Sequence, residues 1–434
     1  MTTPSAPTRE HTSPRLGAGD VVAIGLAVAW VAGLVQVVRH RIFVTHDSLI
    51  TYAHVWYISH RLWHDHQVPM AMPLLSHGQA FAFPYGFVPW LTAAIFRPLL
   101  GDWVVTLLFV LGAIALIAIT FFAFPELRRG WWAAALLANP ALVAALFNGQ
   151  FPFLWASTML LGGVACWRRG RRGWATVLVG LAQATHPAVM LPIVGVIVVG
   201  LLFADPDRRD VLKRYGLSLV PAIPAAYLVI ASPVYTETST FTKVWSLINT
   251  LGPRCWIAFI PLVLLWVVQH RPDPRIAAGL FVIVLGSLGI GWIPLGLPRA
   301  WDQISRVVDT RMEPYLASPA FHPGDTYRLL RVGDRKVGMY ELLKAGGRAD
   351  SEFFPESMAK QSWPTEAAYS TSLRERHVDV VMLWAGYTKF AHTNEEALLA
   401  KMAAAPPARC DGPVVCLTLV AQTPLYRAYA VQRG

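Results

Sequence analysis

Long apolar runs separated by short basic loops restrict the fold of this chain more than any other feature. The first run, 20–38, is long enough to cross a hydrocarbon layer about 30 Å thick. The pattern continues almost to residue 296, with further apolar runs near 103–124, 131–147, 151–167, 175–204, 214–233, 255–269 and 276–296. Because backbone polar groups inside a bilayer must be paired within their own segment, runs of this length predict membrane-spanning helices.

Composition supports the same class of protein. Hydrophobic residues make up 55% of the 434 residues and charged residues only 15%, and the mean hydropathy is +0.44. Soluble domains carry about 25% charged residues, and a single core stops growing near 250–300 residues, so a soluble fold would expose this apolar surplus. The 17 Trp and 20 Phe residues exclude collagen-like, disordered and coiled-coil chains. The sequence therefore predicts an α-helical polytopic membrane protein.

The formal net charge of +11 does not indicate a nucleic-acid partner, because the basic residues lie in loops between apolar runs. Clusters occur at 128–129, 168–172 and 208–214. Short basic loops of this kind are typical of the cytoplasmic side of membrane proteins. A nucleic-acid surface would need a continuous basic stripe on a soluble domain. We therefore expect a lipid bilayer as a partner and no nucleic acid.

Placing the basic loops in the cytoplasm predicts the domain organisation. Residues 1–19 form a cytoplasmic N-terminus of disordered composition, and 20–296 form a transmembrane domain of about eight to ten helices. The loop 42–85 and the tail 297–434 then lie outside. We expect a multi-pass protein of the plasma membrane whose C-terminal domain is extracytoplasmic.

Two apolar runs depart from a simple span. The run 175–204 lies between two basic clusters and is broken at His186-Pro187, which predicts a hairpin of two short helices. The run 87–100 is short and carries Arg97. It predicts a half-inserted or re-entrant helix instead of a full crossing.

The tail 297–434 contains many charged residues and no spanning run. Its apolar and amphipathic segments predict a small α/β domain with alternating strands and helices. The predicted strands are Thr326–Val332, Val378–Trp384, Val414–Val420 and Tyr426–Val431, and the predicted helices are Glu366–His377 and Asn394–Ala404.

The four cysteines divide into two pairs with different expected roles. Cys166 and Cys255 lie in apolar runs and are expected to be inert packing residues. Cys410 and Cys416 flank the turn signal Asp411-Gly412 in the domain placed outside, where an oxidising compartment permits a disulfide. We therefore predict a Cys410–Cys416 bridge. The sequence has no cysteine spacing typical of zinc, and we expect no metal site.

The outer loop 42–85 holds the most informative polar residues, above all Asp47. A carboxylate close to the end of a membrane span is costly to place and usually has a purpose. One interpretation of Asp47 is a helix N-cap, which the pattern Thr45-His46-Asp47-Ser48 suits well. A catalytic role is the other interpretation. For the cluster His64-Asp65-His66, solvated interface residues are a simpler explanation than a metal site.

Several motifs resemble those of the GT-C-type membrane glycosyltransferases. His46-Asp47 follows the first span, and an aromatic loop leads to the segment Phe83-Pro84-Tyr85-Gly86. Asn148-Gly149-Gln150 stands at the outer end of a helix, and a later helix is broken at His186-Pro187. In the tail, Val378–Trp384 and the final segment Leu425–Tyr429 resemble the end of the bacterial 6-pyruvoyl-tetrahydropterin-synthase-related membrane proteins.

The resemblance implies a GT-C-like fold and a sugar transfer that needs no cofactor. The donor would be a sugar linked to polyprenyl phosphate, and the acceptor an envelope glycan or glycolipid. Asp47 would be the catalytic base with His46 beside it, although many members of the class carry a second acidic residue there. The residues expected to line the substrate cavity are His77, Arg97, Asn148, Gln150 and His186.

A lipid-phosphate leaving group also needs a cation near the membrane surface. The candidates on the outer side are Arg41, Arg97, Lys243, Arg254 and Arg299. The alternative to an enzyme is a non-catalytic envelope protein that uses the same scaffold for lipid-linked glycan transport or for assembling partners. A transporter is expected to show paired repeats with intramembrane charges at matching places, and no such symmetry is visible.

Overall fold

Helices dominate the first two thirds of the chain, and a small mixed sheet dominates the last third. The computed structural model describes residues 16–39, 42, 48–69, 71–75, 80–81, 86–139, 141–142, 145, 149–224, 240–271, 273, 275–276, 279, 312–330, 339–350, 363–385, 393–404 and 413–432.

The helical part follows the apolar runs closely. Its helices are α1 (Ala18–Val38), α2 (Ser48–His64), α3 (Phe87–Leu100), α4 (Trp103–Ala123), α5 (Gly130–Leu137), α6 (Phe151–Arg168), α7 (Arg172–Thr185), α8 (Pro187–Ala204), α9 (Arg208–Leu219) and α10 (Thr240–His270). A short antiparallel hairpin of β1 (Ala71–Met72) and β2 (Ala80–Phe81) lies between α2 and α3.

Three helices within the described residues, α1, α4 and α8, are long and apolar enough to cross a membrane. In each of these helices, no more than 39% of the most apolar stretch of 18 residues is buried inside the protein. Large apolar side chains such as Val28, Leu111 and Val196 are exposed on their outer faces. Exposed apolar surface on this scale is typical of helices that face lipid.

The predicted hairpin at 175–204 is confirmed, because α7 ends at Thr185 and α8 begins at Pro187. Proline at the start of α8 has no backbone N–H to donate, so the helix must restart there. The prediction of one helix over 131–147 is wrong, since α5 ends at Leu137. Pro140 follows three residues later and disfavours helical backbone in the residue before it.

The basic loops meet at one end of the bundle. Arg168 pairs with Glu126 at 2.6 Å, and Arg172 pairs with both Asp205 and Asp210 at 2.8 Å. The first contact joins the last turn of α6 to the turn after α4, and the other two join the start of α7 to the end of α8 and the start of α9. Loops that the charge pattern predicted to share one side of the membrane therefore lie together.

The C-terminal part contains the α/β elements predicted for it. Its helices are α11 (Glu313–Leu316), α12 (Met339–Lys344), α13 (Glu366–Glu375) and α14 (Glu395–Ala403). Its strands are β3 (Thr326–Leu330), β4 (Arg348–Ala349), β5 (Val380–Trp384), β6 (Cys416–Gln422) and β7 (Tyr426–Gln432). The strand order is β4-β3-β5-β7-β6; β3 is parallel to β4 and β5, and β7 is antiparallel to β5 and β6.

The two faces of this sheet have different neighbours. Helices α13 and α14 cover one face and form a core of their own with side chains that include Tyr369, Leu373, Leu398 and Met402. The other face belongs to the core shared with the helical bundle, and its residues include Tyr327, Leu329, Met382, Trp384 and Tyr426. The loop after α2 also joins the sheet edge, because the Ala349 N–H donates to the Leu74 carbonyl at 2.8 Å.

A buried ionic cluster links the sheet of this domain to helix α14. The Arg328 guanidinium on β3 donates to Glu395 at 2.7 Å and to Asp350 at 3.1 Å, and all three side chains are buried. Burial opposes the charged guanidinium, but the two carboxylates outweigh it and hold the pKa of Arg328 well above its ordinary value. Buried charges of this kind are stable only while they are paired.

Candidate active site

Three of the predicted site residues lie in the described part of the chain: Arg97, Gln150 and His186. The others, His46, Asp47, His77 and Asn148, lie outside the described residues, so their roles stay predictions. Helix α2 begins at Ser48, directly after Asp47 in the sequence. Both interpretations of Asp47, the N-cap and the catalytic base, therefore remain open.

Gln150 and His186 are part of one cluster at the end of the bundle opposite the basic loops. The Arg254 guanidinium donates to Gln150 Oε1 at 3.2 Å and lies 5.9 Å from the centroid of the Phe153 ring. The same ring meets the His186 imidazole edge-on, with centroids 6.1 Å apart. Phe153 thus lies between a cation and an imidazole, and we call Gln150, Phe153, His186 and Arg254 the Arg254 cluster.

Helix ends position this cluster. Gln150 immediately precedes α6, and Gly149 before it has φ of +69°, which favours glycine. His186 is the single residue between α7 and α8, and its side chain is buried. Since α6 ends at Arg168 and α7 begins at Arg172 in the basic loops, Gln150 and His186 must lie at the opposite end.

The start of α3 closes one side of the cluster. The Gly86 N–H donates to the Thr185 carbonyl at 3.1 Å, and Gly86 has φ of +68°. A Cβ at Gly86 would lie 2.5 Å from the Trp90 ring, so only glycine fits here. Trp90 in turn stacks on His54 of α2, with centroids 4.3 Å apart. Helices α2, α3, α6 and α7 therefore meet at this end of the bundle.

Two buried polar side chains lie just inside the cluster on α6 and α7. Ser157 is one helical turn from Phe153, and Gln183 is three residues before His186. Both are completely buried. Within the described part of the chain, neither the Ser157 hydroxyl nor the Gln183 amide has a hydrogen-bond partner. Unpaired buried polar groups are rare in folded proteins, and an ordered water, an ion or a functional partner commonly accounts for them.

Arg97 is held by a different set of residues. Its Nε and Nη2 donate to Asp102 Oδ1 at 3.2 Å and 3.0 Å, and Tyr340 of α12 donates to the same oxygen at 2.6 Å. Lys344 lies 3.7 Å from the other carboxylate oxygen. Burial and the adjacent Asp102 carboxylate raise the pKa of Tyr340 far above its ordinary value, so the phenol stays protonated. The substrate-binding role of Arg97 stays a prediction.

The polar cluster around Asp65 matches its simpler interpretation. Asp65 pairs with Arg61 at 2.6 Å on the partly exposed last turn of α2. In the described ranges, no three His, Cys, Asp or Glu side chains are grouped so that they could hold a metal ion.

The arrangement of helices is similar to that of a solved structure. The crystal structure of ArnT from Cupriavidus metallidurans bound to undecaprenyl phosphate matches with a TM-score of 0.51 and 15% sequence identity, over 95% of this chain and 98% of that chain. The structure of the apo state matches with a TM-score of 0.48 and 15% identity, over 94% of this chain and 97% of that chain. No model of a protein family and no curated protein matches the chain.

The chain has an ArnT-like fold. The resemblance of the motifs to the GT-C superfamily and the narrower resemblance to the 6-pyruvoyl-tetrahydropterin-synthase-related proteins both stay predictions. At 15% identity the similarity to ArnT shows the fold alone.

Sequence reasoning missed several residues that the ArnT-like fold brings to this end of the bundle. Arg254 was one of five candidate cations, and the sequence contained no signal that distinguished it from the others. Phe153 and Gln183 are unremarkable members of apolar runs. Asp102 carried a usable signal, since it is a lone carboxylate between Gly101 and the long apolar run of α4.

The disulfide prediction is tested directly by mass. Cys416 is disulfide-bonded at the start of β6, while Cys166 and Cys255 are free; Cys410, the predicted partner, lies outside the described residues. We expect the non-reduced peptide carrying Cys410 and Cys416 to be lighter than its reduced form by two hydrogen atoms. Two free thiols in protein alkylated during cell lysis would contradict the bridge and the oxidising compartment that it implies.

Proposed function

We propose that this chain is a membrane glycosyltransferase that moves a sugar from a polyprenyl-phosphate donor to an envelope glycan or lipid on the extracytoplasmic side. The observation that carries the proposal is the Arg254 cluster, which places a guanidinium beside an amide, an aromatic ring and an imidazole. It lies at the end of the bundle opposite the basic loops. A cation at this place suits the phosphate of a membrane-bound donor.

The chemistry assigned to these groups is a single displacement. The acceptor hydroxyl oxygen attacks the anomeric carbon of the sugar while the bond from that carbon to the phosphate oxygen breaks. The hydroxyl proton passes to the Asp47 carboxylate, and polyprenyl phosphate leaves with the bonding electron pair. Arg254 faces the growing negative charge on the phosphate, where a fixed cation stabilises the transition state more than the ground state.

Aromatic and amide groups fit the remaining part of the substrate. The Phe153 ring offers a flat apolar face to a sugar, and the Gln150 amide can pair with a sugar hydroxyl as well as with Arg254. The ArnT structure with a similar fold holds undecaprenyl phosphate, which supports a polyprenyl-phosphate partner for this chain.

Replacing Arg254 by Gln is expected to weaken the binding of undecaprenyl phosphate about ten- to a hundredfold, the usual effect of losing one charge-assisted contact. Arg254→Lys should retain part of the affinity because it keeps the charge. Native mass spectrometry of the full chain in neutral nanodiscs, titrated with undecaprenyl phosphate, measures the affinity. The matched control is Arg427→Gln, because Arg427 pairs with Glu396 on the C-terminal domain.

Equal affinities of wild type and Arg254→Gln would remove Arg254 from the donor site. Failure of the wild-type chain to bind undecaprenyl phosphate at all would reject the polyprenyl-phosphate donor itself. That second result would favour the non-catalytic envelope protein as the function of this scaffold.

A further inference from the structure

A second cationic group lies where the C-terminal domain meets the bundle, and the proposed sugar transfer does not use it. Asp102 at the start of α4 accepts hydrogen bonds from Arg97 of α3 and from Tyr340 of α12. Lys344 approaches Asp102 at 3.7 Å and lies over the Tyr340 ring at 5.0 Å. We call Arg97, Asp102, Tyr340 and Lys344 the Asp102 cluster.

The charge that this cluster presents to its surroundings is positive. The Asp102 side chain is only 3% exposed, whereas Arg97 is 20% exposed and Lys344 is 40% exposed. The carboxylate oxygens of neighbouring Glu341 are buried as well. Both anions are therefore turned into the protein, and both cations reach its surface. Arg97 uses Nε and Nη2 for Asp102, and Nη2 also lies 3.5 Å from the Tyr340 hydroxyl.

The length of α4 places the cluster at a membrane surface. Helix α4 has 21 residues and spans about 31 Å, close to the thickness of the hydrocarbon layer. Its last turn lies at the basic loops, because Arg169 donates to the Phe122 carbonyl at 2.7 Å. Asp102, at the other end of α4, must therefore lie at the opposite membrane surface.

The neighbours of Arg97 on α3 face an apolar environment. Leu99 is 81% exposed, and Ile95, Phe96 and Leu100 are exposed too. Apolar side chains around one arginine at a helix end are typical of a residue that extends from the hydrocarbon toward headgroups. Besides Asp102, lipid headgroups are thus the charged groups expected next to Arg97 and Lys344.

We propose that Arg97 and Lys344 bind the phosphate of an anionic phospholipid in the leaflet that faces the C-terminal domain. One phosphate between the two cations would link α3 to α12 and hold that domain against the membrane. The exposed apolar residues of α3 lie directly beside the two cations. A phospholipid, whose acyl chains adjoin its phosphate, therefore fits this surface better than a protein partner. The proposal requires the membrane topology but does not depend on the sugar-transfer reaction.

Photocrosslinking in nanodiscs tests this contact with the full chain. The nanodiscs consist of phosphatidylcholine with a trace of photoreactive phosphatidylglycerol, or of photoreactive phosphatidylcholine in the parallel sample. We expect the peptides around Arg97 and Lys344 to be labelled at least several times more strongly by phosphatidylglycerol. Lys344→Gln should lower that labelling about fivefold, the usual effect of removing one basic residue at an anionic membrane surface.

Two controls separate this site from general attraction to anionic lipid. Lys401→Gln removes an exposed lysine from α14 on the far face of the sheet and should leave the labelling unchanged. The basic loop 168–172 should keep its labelling in Lys344→Gln, which serves as an internal reference. Because Lys344 is partly exposed, its replacement is expected to leave the protein folded, and an unchanged melting temperature checks this.

Equal labelling by the two lipids around Arg97 and Lys344 would overturn the proposal. So would unchanged phosphatidylglycerol labelling in Lys344→Gln, because a surface covered by a protein partner or a second copy would not depend on the lipid charge. Arg97→Gln provides a second test from the α3 side, with the same fivefold loss expected in protein that retains its melting temperature.

Discussion

Replacing Asp47 by Asn is expected to lower sugar transfer about 10²–10⁴-fold, the usual cost of losing a general base. Asn has nearly the size of Asp but does not accept a proton at neutral pH. The measurement is the envelope glycan composition of a deletion strain complemented with either form, at matched amounts of protein in the membrane. A matched control is Asp65→Asn, which removes a carboxylate of the same loop that pairs with Arg61 at the surface.

The same substitution separates the two interpretations of Asp47. If Asp47 only caps α2, Asn should replace it with little effect, because Asn is as good an N-cap residue as Asp. Full rescue by Asp47→Asn would therefore leave Asp47 with a structural role and would move the function toward the non-catalytic envelope protein. Loss of glycan together with normal folding and unchanged binding of undecaprenyl phosphate would support the catalytic base.

The second large effect is expected in the C-terminal domain. Arg328→Met should lower its free energy of unfolding by about 3–5 kcal/mol, because Glu395 would remain buried without its cation and Asp350 would keep only Arg376, 3.8 Å away. Met has a similar length and no charge, so the loss reports the missing ion pairs more than a missing volume. Hydrogen exchange of the β3 and β5 peptides in the full chain measures the local free energy of opening.

Arg427→Met is the matched control for that measurement. Arg427 pairs with Glu396 at 2.5 Å, but both side chains are partly exposed, so its loss should cost no more than about 1 kcal/mol. Similar small losses in the two variants would mean that water or other groups compensate the buried carboxylates.

Several elements follow from short stretches of sequence because their causes are local. The break between α7 and α8 depends on one proline, whose ring and missing N–H prevent a continuous helix. β5 and α13 were predicted at nearly their observed positions, since a short apolar run and an amphipathic segment carry their own periodicity. The end of α5 at Leu137 does not follow from hydropathy, which stays apolar up to residue 147; Pro140 is its local cause, because proline disfavours helical backbone in the residue before it.

The sequence by itself determined the membrane class, the common end of the basic loops and the order of elements in the C-terminal domain. These features depend on hydropathy, loop charge and periodicity, which act over a few turns. Only the tertiary structure decided that Arg254 lies beside Gln150 and that Tyr340 donates to Asp102. Those partners are 104 and 238 residues apart in the chain. Pairings over such separations depend on how whole helices pack, because many cations and carboxylates in one sequence have equal local chemistry.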